Sequence, residues 1–125
     1  MRLEAWIGVD LDATLAEYTH WPPDGSIGKP IPAMIDRVKA MLEEGRVVKI
    51  FTARVWPLGT VDAIVDRVRS EQAAEQQRQI QAWCKEHIGQ ELPVTCIKDF
   101  AMLSFFDDRA VQVEPNTGRR VDGQP

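Results

Sequence analysis

Runs of apolar residues alternate with amphipathic helical patterns along most of this chain. A buried strand is indicated at residues 5–10, and a second at residues 47–51. Between them the apolar residues recur at i, i+3, i+4 and i+7, which predicts one face of a helix formed by Ile31, Met34, Ile35, Val38, Met41 and Leu42. Pro32 suits the first turn of this helix, and Gly45 suits its C-terminal end.

A second helical pattern follows Pro57 and Gly59, which interrupt regular secondary structure. Thr60 can cap this helix. The helical spacing then continues to Gly89 through Val61, Ile64, Val65, Val68, Ile80, Trp83, Cys84, His87 and Ile88. Because one helix from Thr60 would approach ~40 Å at about 1.5 Å per residue, we expect a kink or a restart near Ser70.

Three more strands are predicted toward the C-terminus, at residues 94–97, 102–107 and 111–113. Residues 114–125 are polar and rich in Gly and Pro, which predicts a loose tail. Strands separated by helical crossovers imply an α/β fold in three layers, with a parallel five-stranded sheet and helices on both faces. We expect a single domain at residues 1–113.

Composition and charge narrow the classes of function. The chain has 125 residues, a net charge of −4 and a pI of about 5.1, without the basic stripe that non-specific nucleic-acid binding needs. Its two cysteines, Cys84 and Cys96, give neither a zinc spacing nor a disulfide framework. We expect no membrane span, because no apolar run approaches the required length. The N-terminus does not resemble a signal peptide, so we expect a cytoplasmic protein.

The predicted strands end in residues that carry chemistry. In chain order these are Asp10 and Asp12 after the first strand, Thr52 after the second, Lys98 after the third, and Asp107 and Asp108 after the fourth. In parallel sheets the ligand site lies at the carboxyl ends of the strands, so these groups should meet. Two carboxylates about 4 Å apart repel each other by roughly 4 kcal/mol at an effective dielectric near 20. A hard divalent cation commonly offsets that cost, which predicts a metal site that handles phosphate.

These residues resemble the motifs of the haloacid dehalogenase-like superfamily of phosphotransferases, over residues 8–113. The first motif, Asp-x-Asp-x-Thr, matches Asp10, Asp12 and Thr14, and the later motifs match Thr52, Lys98, Asp107 and Asp108. The Thr-Ala-Arg run at 52–54 and the Asp-Asp-Arg run at 107–109 look like those of small members with little or no cap. Ala13 stands where phosphatases of the superfamily commonly have Gly, and Asp99 stands where a Pro often follows the Lys.

The resemblance implies a Rossmann-like domain and a Mg²⁺-dependent phosphomonoester hydrolase. Asp10 would form an aspartyl-phosphate and Asp12 would act as general acid and base. Mg²⁺ would be held by the carboxylates of Asp10 and Asp107 and by the backbone carbonyl of Asp12. Asp108 would bind the ion through water or orient a neighbouring residue. The phosphate would be held by Thr14, Thr52, Arg54 and Lys98, and a structural ion pair is an equal alternative for Arg54. Residues 16–30 would form a flap over the site, and residues 55–70 could form a small helical lid or arm.

Other functions fit the same residues. One is a phosphate-binding or regulatory module without turnover, and another is a polynucleotide-end phosphatase. The acidic charge favours a small phosphorylated substrate over nucleic acid. A third is an assembly protein that forms a homodimer through the helix beginning near Val61. Trp21 could stack on a substrate, although packing is the commoner role for this residue and for Trp56.

Overall fold

The computed structural model describes residues 4–56 and 63–125. In chain order its strands and α-helices are β1 (Trp6–Val9), α1 (Pro32–Glu43), β2 (Val47–Phe51), α2 (Ala63–His87), β3 (Val94–Thr95) and β4 (Met102–Phe106). A single 3-10 turn, Ala53–Val55, follows β2. The cap predicted at Thr60, and much of the lid or arm predicted at 55–70, lie outside the described residues. Within those residues, no helix combines the length and apolar character that crossing a membrane would need.

The strands form one parallel sheet in the order β3-β2-β1-β4. The predicted α/β fold with a parallel sheet is therefore confirmed. The predicted fifth strand is wrong, since the described part of the chain places four strands in the sheet. Val113 forms an antiparallel bridge to Arg120 instead. Strand-like alternation at 111–113 thus reflects pairing with a local partner rather than with the sheet.

The segment predicted as a loose tail is folded back on itself. The backbone N–H of Glu114 donates to the carbonyl of Arg119 at 2.7 Å, and that of Val121 donates to the carbonyl of Gln112 at 2.9 Å. Asn116 and Gly118 have φ values of 64° and 75°, which reverse the chain between these bonds. Residues 112–121 are therefore a short antiparallel turn.

Both α-helices pack on the same face of the sheet. That face carries Ile7 and Val9 of β1 and Val48 and Ile50 of β2, which belong to one buried cluster with residues of α1 and α2. The helical members of this cluster are Ile35, Val38, Met41, Ile80, Trp83 and Cys84. The prediction of helices on both faces is therefore wrong for the described residues, which form two layers. The cause is the short connection at 96–101, because a helical crossover needs about a dozen residues or more.

Aromatic side chains cover the opposite face. Trp6 is buried there, and the ring of Phe51 stacks on it at a centroid distance of 6.4 Å. The ammonium of Lys49 lies 4.7 Å from the centre of the Trp6 ring. Gly8 leaves room for this layer, since a Cβ at that position would lie 2.5 Å from Cε of Met102 and 3.2 Å from Cδ2 of Phe105. Phe51 and Phe105 thereby reach the carboxyl edge of the sheet.

The predicted ends of α1 are confirmed. Pro32 occupies the first turn, where its missing N–H costs no hydrogen bond. At the other end, Gly45 has φ of 79°, and the N–H groups of Gly45 and Arg46 donate to the carbonyls of Leu42 and Met41. These bonds satisfy carbonyls that the end of the helix leaves without partners.

The restart predicted near Ser70 is wrong, because α2 is continuous from Ala63 to His87. The alternative of a kink there stays a prediction. Its 25 residues span about 37 Å. Residues 71–81 are rich in Glu, Gln, Ala and Arg, which are strong helix formers, so a single Ser does not end the helix. The length of α2 matters for the site, since its first half reaches the carboxyl edge of the sheet while its second half packs in the core.

Candidate active site

A cavity of about 910 Å³ lies at the carboxyl edge of the sheet. The chain leaves β1 beside β4, where the N–H of Asp10 donates to the carbonyl of Phe106 at 2.9 Å. The side chains predicted from the strand ends that line this cavity are Asp10, Asp12, Thr52, Arg54, Asp107 and Asp108. The rule that parallel strands deliver ligand-binding residues to one edge therefore places most of the predicted site together.

Three carboxylates in this cavity form a compact cluster. Asp10, Asp107 and Asp108 each offer an oxygen within 4.8 Å of the others. Thr14 links two of them, because its hydroxyl lies 3.2 Å from Oδ2 of Asp10 and 3.3 Å from Oδ1 of Asp108. Carboxylate oxygens at this spacing are suited to a hard divalent cation such as Mg²⁺. Thr14 does not itself line the cavity, so the structure makes it a partner of the carboxylates.

The cluster shifts the protonation of Asp10. The pKa of Asp10 is raised from 3.8 to about 7, chiefly by burial and then by hydrogen bonds to Asp108 and Asp107 and by the charge of Asp107. The hydrogen bond from Thr14 acts in the opposite direction. In the protein without metal, Asp10 therefore carries a proton in a large fraction of molecules near neutral pH, and a bound cation must displace that proton.

We expect Mg²⁺ to stabilise the protein more at pH 8 than at pH 5. The folded-state pKa of Asp10 is raised, so its contribution to stability is present below about 3.8 and is lost as the pH rises through about 7. In EDTA the melting temperature should therefore fall between pH 5 and pH 8. Mg²⁺ should reverse most of that fall, as measured by thermal unfolding in matched buffers.

Asp10→Asn provides the control, because it removes the titrating group. This variant should lose the part of the pH dependence that lies between pH 5 and pH 8, together with most of the Mg²⁺ effect. An Mg²⁺-induced shift of equal size at both pH values would contradict the assignment of the cation to this cluster.

The turn after β1 is strained at Ala13. This residue has φ of 69°, in the left-handed region that a Cβ disfavours by roughly 1–2 kcal/mol. Its N–H donates to the carbonyl of Ala16 at 2.8 Å, and the N–H groups of Leu15 and Ala16 both donate to the carbonyl of Leu11. The tight turn places Asp10 and Asp12 at the cavity, and its geometry explains why Gly would suit position 13.

Ala13→Gly is expected to raise the free energy of unfolding by about 0.5–1 kcal/mol. Gly relieves the left-handed strain, and its greater freedom in the unfolded chain offsets only part of that gain. Urea unfolding can measure the difference. Ala40→Gly on the exposed side of α1 is the matched control and should lower stability by about 1 kcal/mol. Destabilisation by both substitutions would contradict the strain at position 13.

Arg54 binds Asp12 in a two-point ion pair. Nε and Nη2 donate to the two carboxylate oxygens at 2.8 and 2.7 Å. The remaining bonds of the guanidinium hold the flap and α2, since they reach the carbonyls of Gly25 and Ser26 and the side chain of Gln76 at 2.7–3.1 Å. Arg54 is only 5% exposed.

Because all of its donors are used in this way, Arg54 has none left for a phosphate. The predicted phosphate contact of Arg54 is therefore replaced by a positioning role toward Asp12. Asp12 also does not belong to the three-carboxylate cluster, so its side chain is not one of the clustered metal-ligand candidates. The predicted contribution of its backbone carbonyl to a metal stays a prediction.

Thr52 is placed as the sequence predicts. It follows β2, lines the cavity and is 3% exposed. Its hydroxyl oxygen accepts from the N–H of Arg54 at 3.2 Å, and its own N–H donates to the carbonyl of Thr95 at 2.9 Å. The hydroxyl proton remains able to donate to a ligand in the cavity.

Lys98 is a second predicted residue, after Thr14, that does not line the cavity. It is exposed and absent from the cavity lining. The chain has already turned back at this point, because the next residue, Asp99, accepts from Nε1 of Trp6 at the amino end of β1 at 2.9 Å. Among the described residues, the cationic side chains that line the cavity are instead Arg54, Arg69 and Arg109.

The flap predicted at 16–30 is a loop closed at its base. Ala16 and Pro30 form an antiparallel bridge, and the N–H of Glu17 donates to the carbonyl of Lys29 at 2.8 Å. Nε1 of Trp83 in α2 donates to the carbonyl of Gly28 at 3.1 Å. The loop contributes five residues to the cavity wall: Tyr18, Trp21, Pro23, Asp24 and Gly25.

Several residues of the site carry no signal in the sequence. Arg69, Gln72 and Gln76 lie on α2 near the predicted kink or restart, and their spacing is that of an ordinary polar helix face. The carbonyls of Gly25 and Ser26 are backbone atoms. Arg109 is the exception, because it directly follows the acidic pair and could have been proposed from that position.

Comparison with known proteins adds information on the fold alone. No family model matches the chain, and no curated protein matches it. The chain is similar to the solved structure of a conserved protein coded by a locus from Bacteroides thetaiotaomicron, with 19% sequence identity and a TM-score of 0.51. The similarity covers 98% of this chain and 83% of that one. The shared architecture therefore extends over nearly the whole chain.

Proposed function

We propose that this protein is a Mg²⁺-dependent phosphomonoester hydrolase that works through an aspartyl-phosphate on Asp10. The observation that carries the proposal is the cluster of Asp10, Asp107 and Asp108, with oxygens within 4.8 Å of one another at the edge of a 910 Å³ cavity. The motif resemblance of the sequence supports the same reading.

The donor set fits Mg²⁺, because all three clustered side chains are hard oxygen ligands. Asp10 and Asp107 would hold the ion directly, and Asp108, which is tied to Thr14, would hold it directly or through water. When bound, the ion supplies positive charge that neutralises the carboxylates and the phosphoryl oxygens.

The protein's own groups account for both halves of the reaction. An oxygen of Asp10 attacks phosphorus and forms a new P–O bond, while the P–O bond to the substrate alcohol breaks and that alcohol takes a proton from Asp12. Water then attacks the aspartyl-phosphate and gives its proton to Asp12. The P–O bond to Asp10 breaks, inorganic phosphate leaves and both carboxyl groups return to their starting state.

Positive charge for the phosphoryl group comes from arginines in this arrangement. Arg54 is fully engaged, so Arg69 and Arg109 are the cavity-lining cations that can contact a phosphate. Thr52 would donate its hydroxyl to a phosphoryl oxygen. Phosphoryl transfer depends mainly on positioning and charge stabilisation, which these groups provide.

The test is release of inorganic phosphate from a generic aryl phosphate with Mg²⁺. Turnover should stop in EDTA and return when Mg²⁺ is added back. Acid-quenched protein should carry one phosphoryl group by intact mass, and the adduct should be missing from Asp10→Asn. Failure to hydrolyse any member of a broad panel of phosphomonoesters would refute the proposal.

One observation favours the alternative of a phosphate-binding module without turnover. Both oxygens of Asp12 accept from Arg54, so a proton-transfer role requires one of those bonds to open. A phosphoryl adduct on Asp10 that persists without release of phosphate would select this alternative. The same intact-mass experiment, followed over time, separates the two functions.

A further inference from the structure

Aromatic side chains are concentrated around the candidate active site. The chain contains four Trp, one Tyr and four Phe. Five of these side chains line the cavity, namely Tyr18, Trp21, Phe51, Trp56 and Phe105. A phosphate and a single cation need no aromatic wall, so this lining indicates that the rest of the substrate is recognised by flat apolar surfaces.

The two indole rings are held in place by arginines. The guanidinium of Arg54 lies 4.6 Å from the ring centre of Trp21, and that of Arg69 lies 4.9 Å from the ring centre of Trp56. The guanidinium of Arg54 is fixed by its bonds to Asp12, Gly25, Ser26 and Gln76, and Nη2 of Arg69 donates to the backbone carbonyl of Arg54 at 2.7 Å. The rings are therefore oriented before a ligand arrives, which lowers the entropic cost of binding.

Both rings remain open to a ligand. Trp21 is 52% exposed and Trp56 is 44% exposed, although each has a guanidinium against it. Gln72 lines the same cavity, and its amide offers both a donor and an acceptor. A planar ring with polar edges matches this combination better than an aliphatic group does, because it can stack on indole while its edge bonds to an amide.

We propose that the cavity accepts a free nucleoside monophosphate, with its base stacked on Trp21 or Trp56 and its phosphate at Asp10. This inference rests on the proposed function and names the substrate class of the same site. A volume of about 910 Å³ is at the upper end of small-molecule pockets, so there is room for the nucleoside beside the phosphate.

The charge of the cavity favours a free nucleotide over the end of a nucleic acid. Five carboxylates line it, Asp10, Asp12, Asp24, Asp107 and Asp108, against three arginines. The whole chain is acidic, with a net charge of −4. A polynucleotide would bring further phosphates to this surface and would lack the row of cations that such ligands need.

The deciding experiment compares adenosine 5′-monophosphate with ribose 5-phosphate in the presence of Mg²⁺. Both substrates are phosphate esters of a primary sugar alcohol, so the difference isolates the base. We expect kcat/KM to be about 10-fold or more higher for the nucleotide, which is the scale of base stacking on an aromatic side chain. We expect stacking to stabilise the bound substrate and the transition state equally, so the gain should lie mainly in KM.

Variants then assign the preference to the indole rings. Trp21→Leu and Trp56→Leu should together lower the ratio of kcat/KM for the nucleotide to kcat/KM for ribose 5-phosphate to about one. Trp→Phe at the same two positions should restore part of the preference for the nucleotide. Phe100→Leu is the control, since Phe100 is fully exposed and does not line the cavity.

Equal kcat/KM for the two substrates, or an equal loss of both in the Trp variants, would overturn the inference while leaving the phosphatase intact. A higher kcat/KM for a 5′-phosphorylated oligonucleotide than for the free nucleotide would also overturn it. If the wild type hydrolyses neither sugar phosphate, calorimetric binding of the same two compounds with Mg²⁺ decides. Tighter binding of the nucleotide that depends on Trp21 and Trp56 supports the inference even then, and equal binding rejects it.

Discussion

Asp10→Asn is expected to lower kcat for phosphate release by about 10⁴-fold or more, because removing a nucleophile eliminates the covalent route. The same substitution should raise the melting temperature of the metal-free protein at pH 8. A half-buried carboxylate beside Asp107 and Asp108 is costly when ionised, and Asn keeps its shape without its charge. Loss of activity together with a gain in stability would show that Asp10 is needed for function although its charge destabilises the fold.

Asp36→Asn is the matched control for this substitution. Asp36 is exposed on α1 and does not line the cavity, so its replacement changes the net charge equally without touching the cluster. It should leave kcat within about twofold and shift the melting temperature little. Retention of more than a tenth of the activity by Asp10→Asn would mean that another group attacks the phosphorus.

The strands and their ends were predictable because both signals are local. An apolar run followed by a carboxylate or a hydroxyl identifies β1, β2 and β4, and a parallel sheet then brings Asp10, Thr52 and Asp107 to one edge. The caps of α1 are equally local, since Pro32 and Gly45 act within one helical turn of their own positions.

The errors in the fold arose where an outcome depends on distant partners. The alternation of Val111 and Val113 is typical of a strand, but it does not say whether the partner is the sheet or Arg120. Whether helices cover one or both faces of the sheet depends on the connection from β3 to β4. The residues predicted between those strands are too few to form a helix. Helices on both faces followed from the general rule for α/β sheets rather than from this segment.

The errors in the site have a similar origin. Lys98 follows an apolar run as the pattern requires, yet β3 is only two residues long and the chain turns back before a side chain at 98 can reach the cavity. Arg54 was correctly singled out, but its role depends on the carbonyls of Gly25 and Ser26. Backbone atoms brought from a loop have no sequence signature, so a binding role and a positioning role could not be separated in advance.

Arg54→Met is expected to lower the free energy of unfolding by about 3–5 kcal/mol, the cost of breaking a buried ion pair from one side. Asp12 would lose both of its hydrogen bonds from Arg54, and the carbonyls of Gly25 and Ser26 would lose their donor. Arg67→Met is the control on α2, because the Arg67–Glu71 pair is exposed and should contribute less than about 1 kcal/mol. Equal losses in the two variants, measured by urea unfolding, would show that the buried pair is not stabilising.

Arg54→Lys separates positioning from folding. It keeps the charge but cannot make the two-point contact, so Asp12 should lose its fixed direction and kcat should fall by about 10²-fold, with a smaller change in KM. If Arg54 acts through Asp12, the same substitution made in Asp12→Asn should lower kcat by less than about threefold further, because the group it positions is already gone. A full 10²-fold loss in that background would place the role of Arg54 in the flap, through Gly25 and Ser26, and not in the orientation of Asp12.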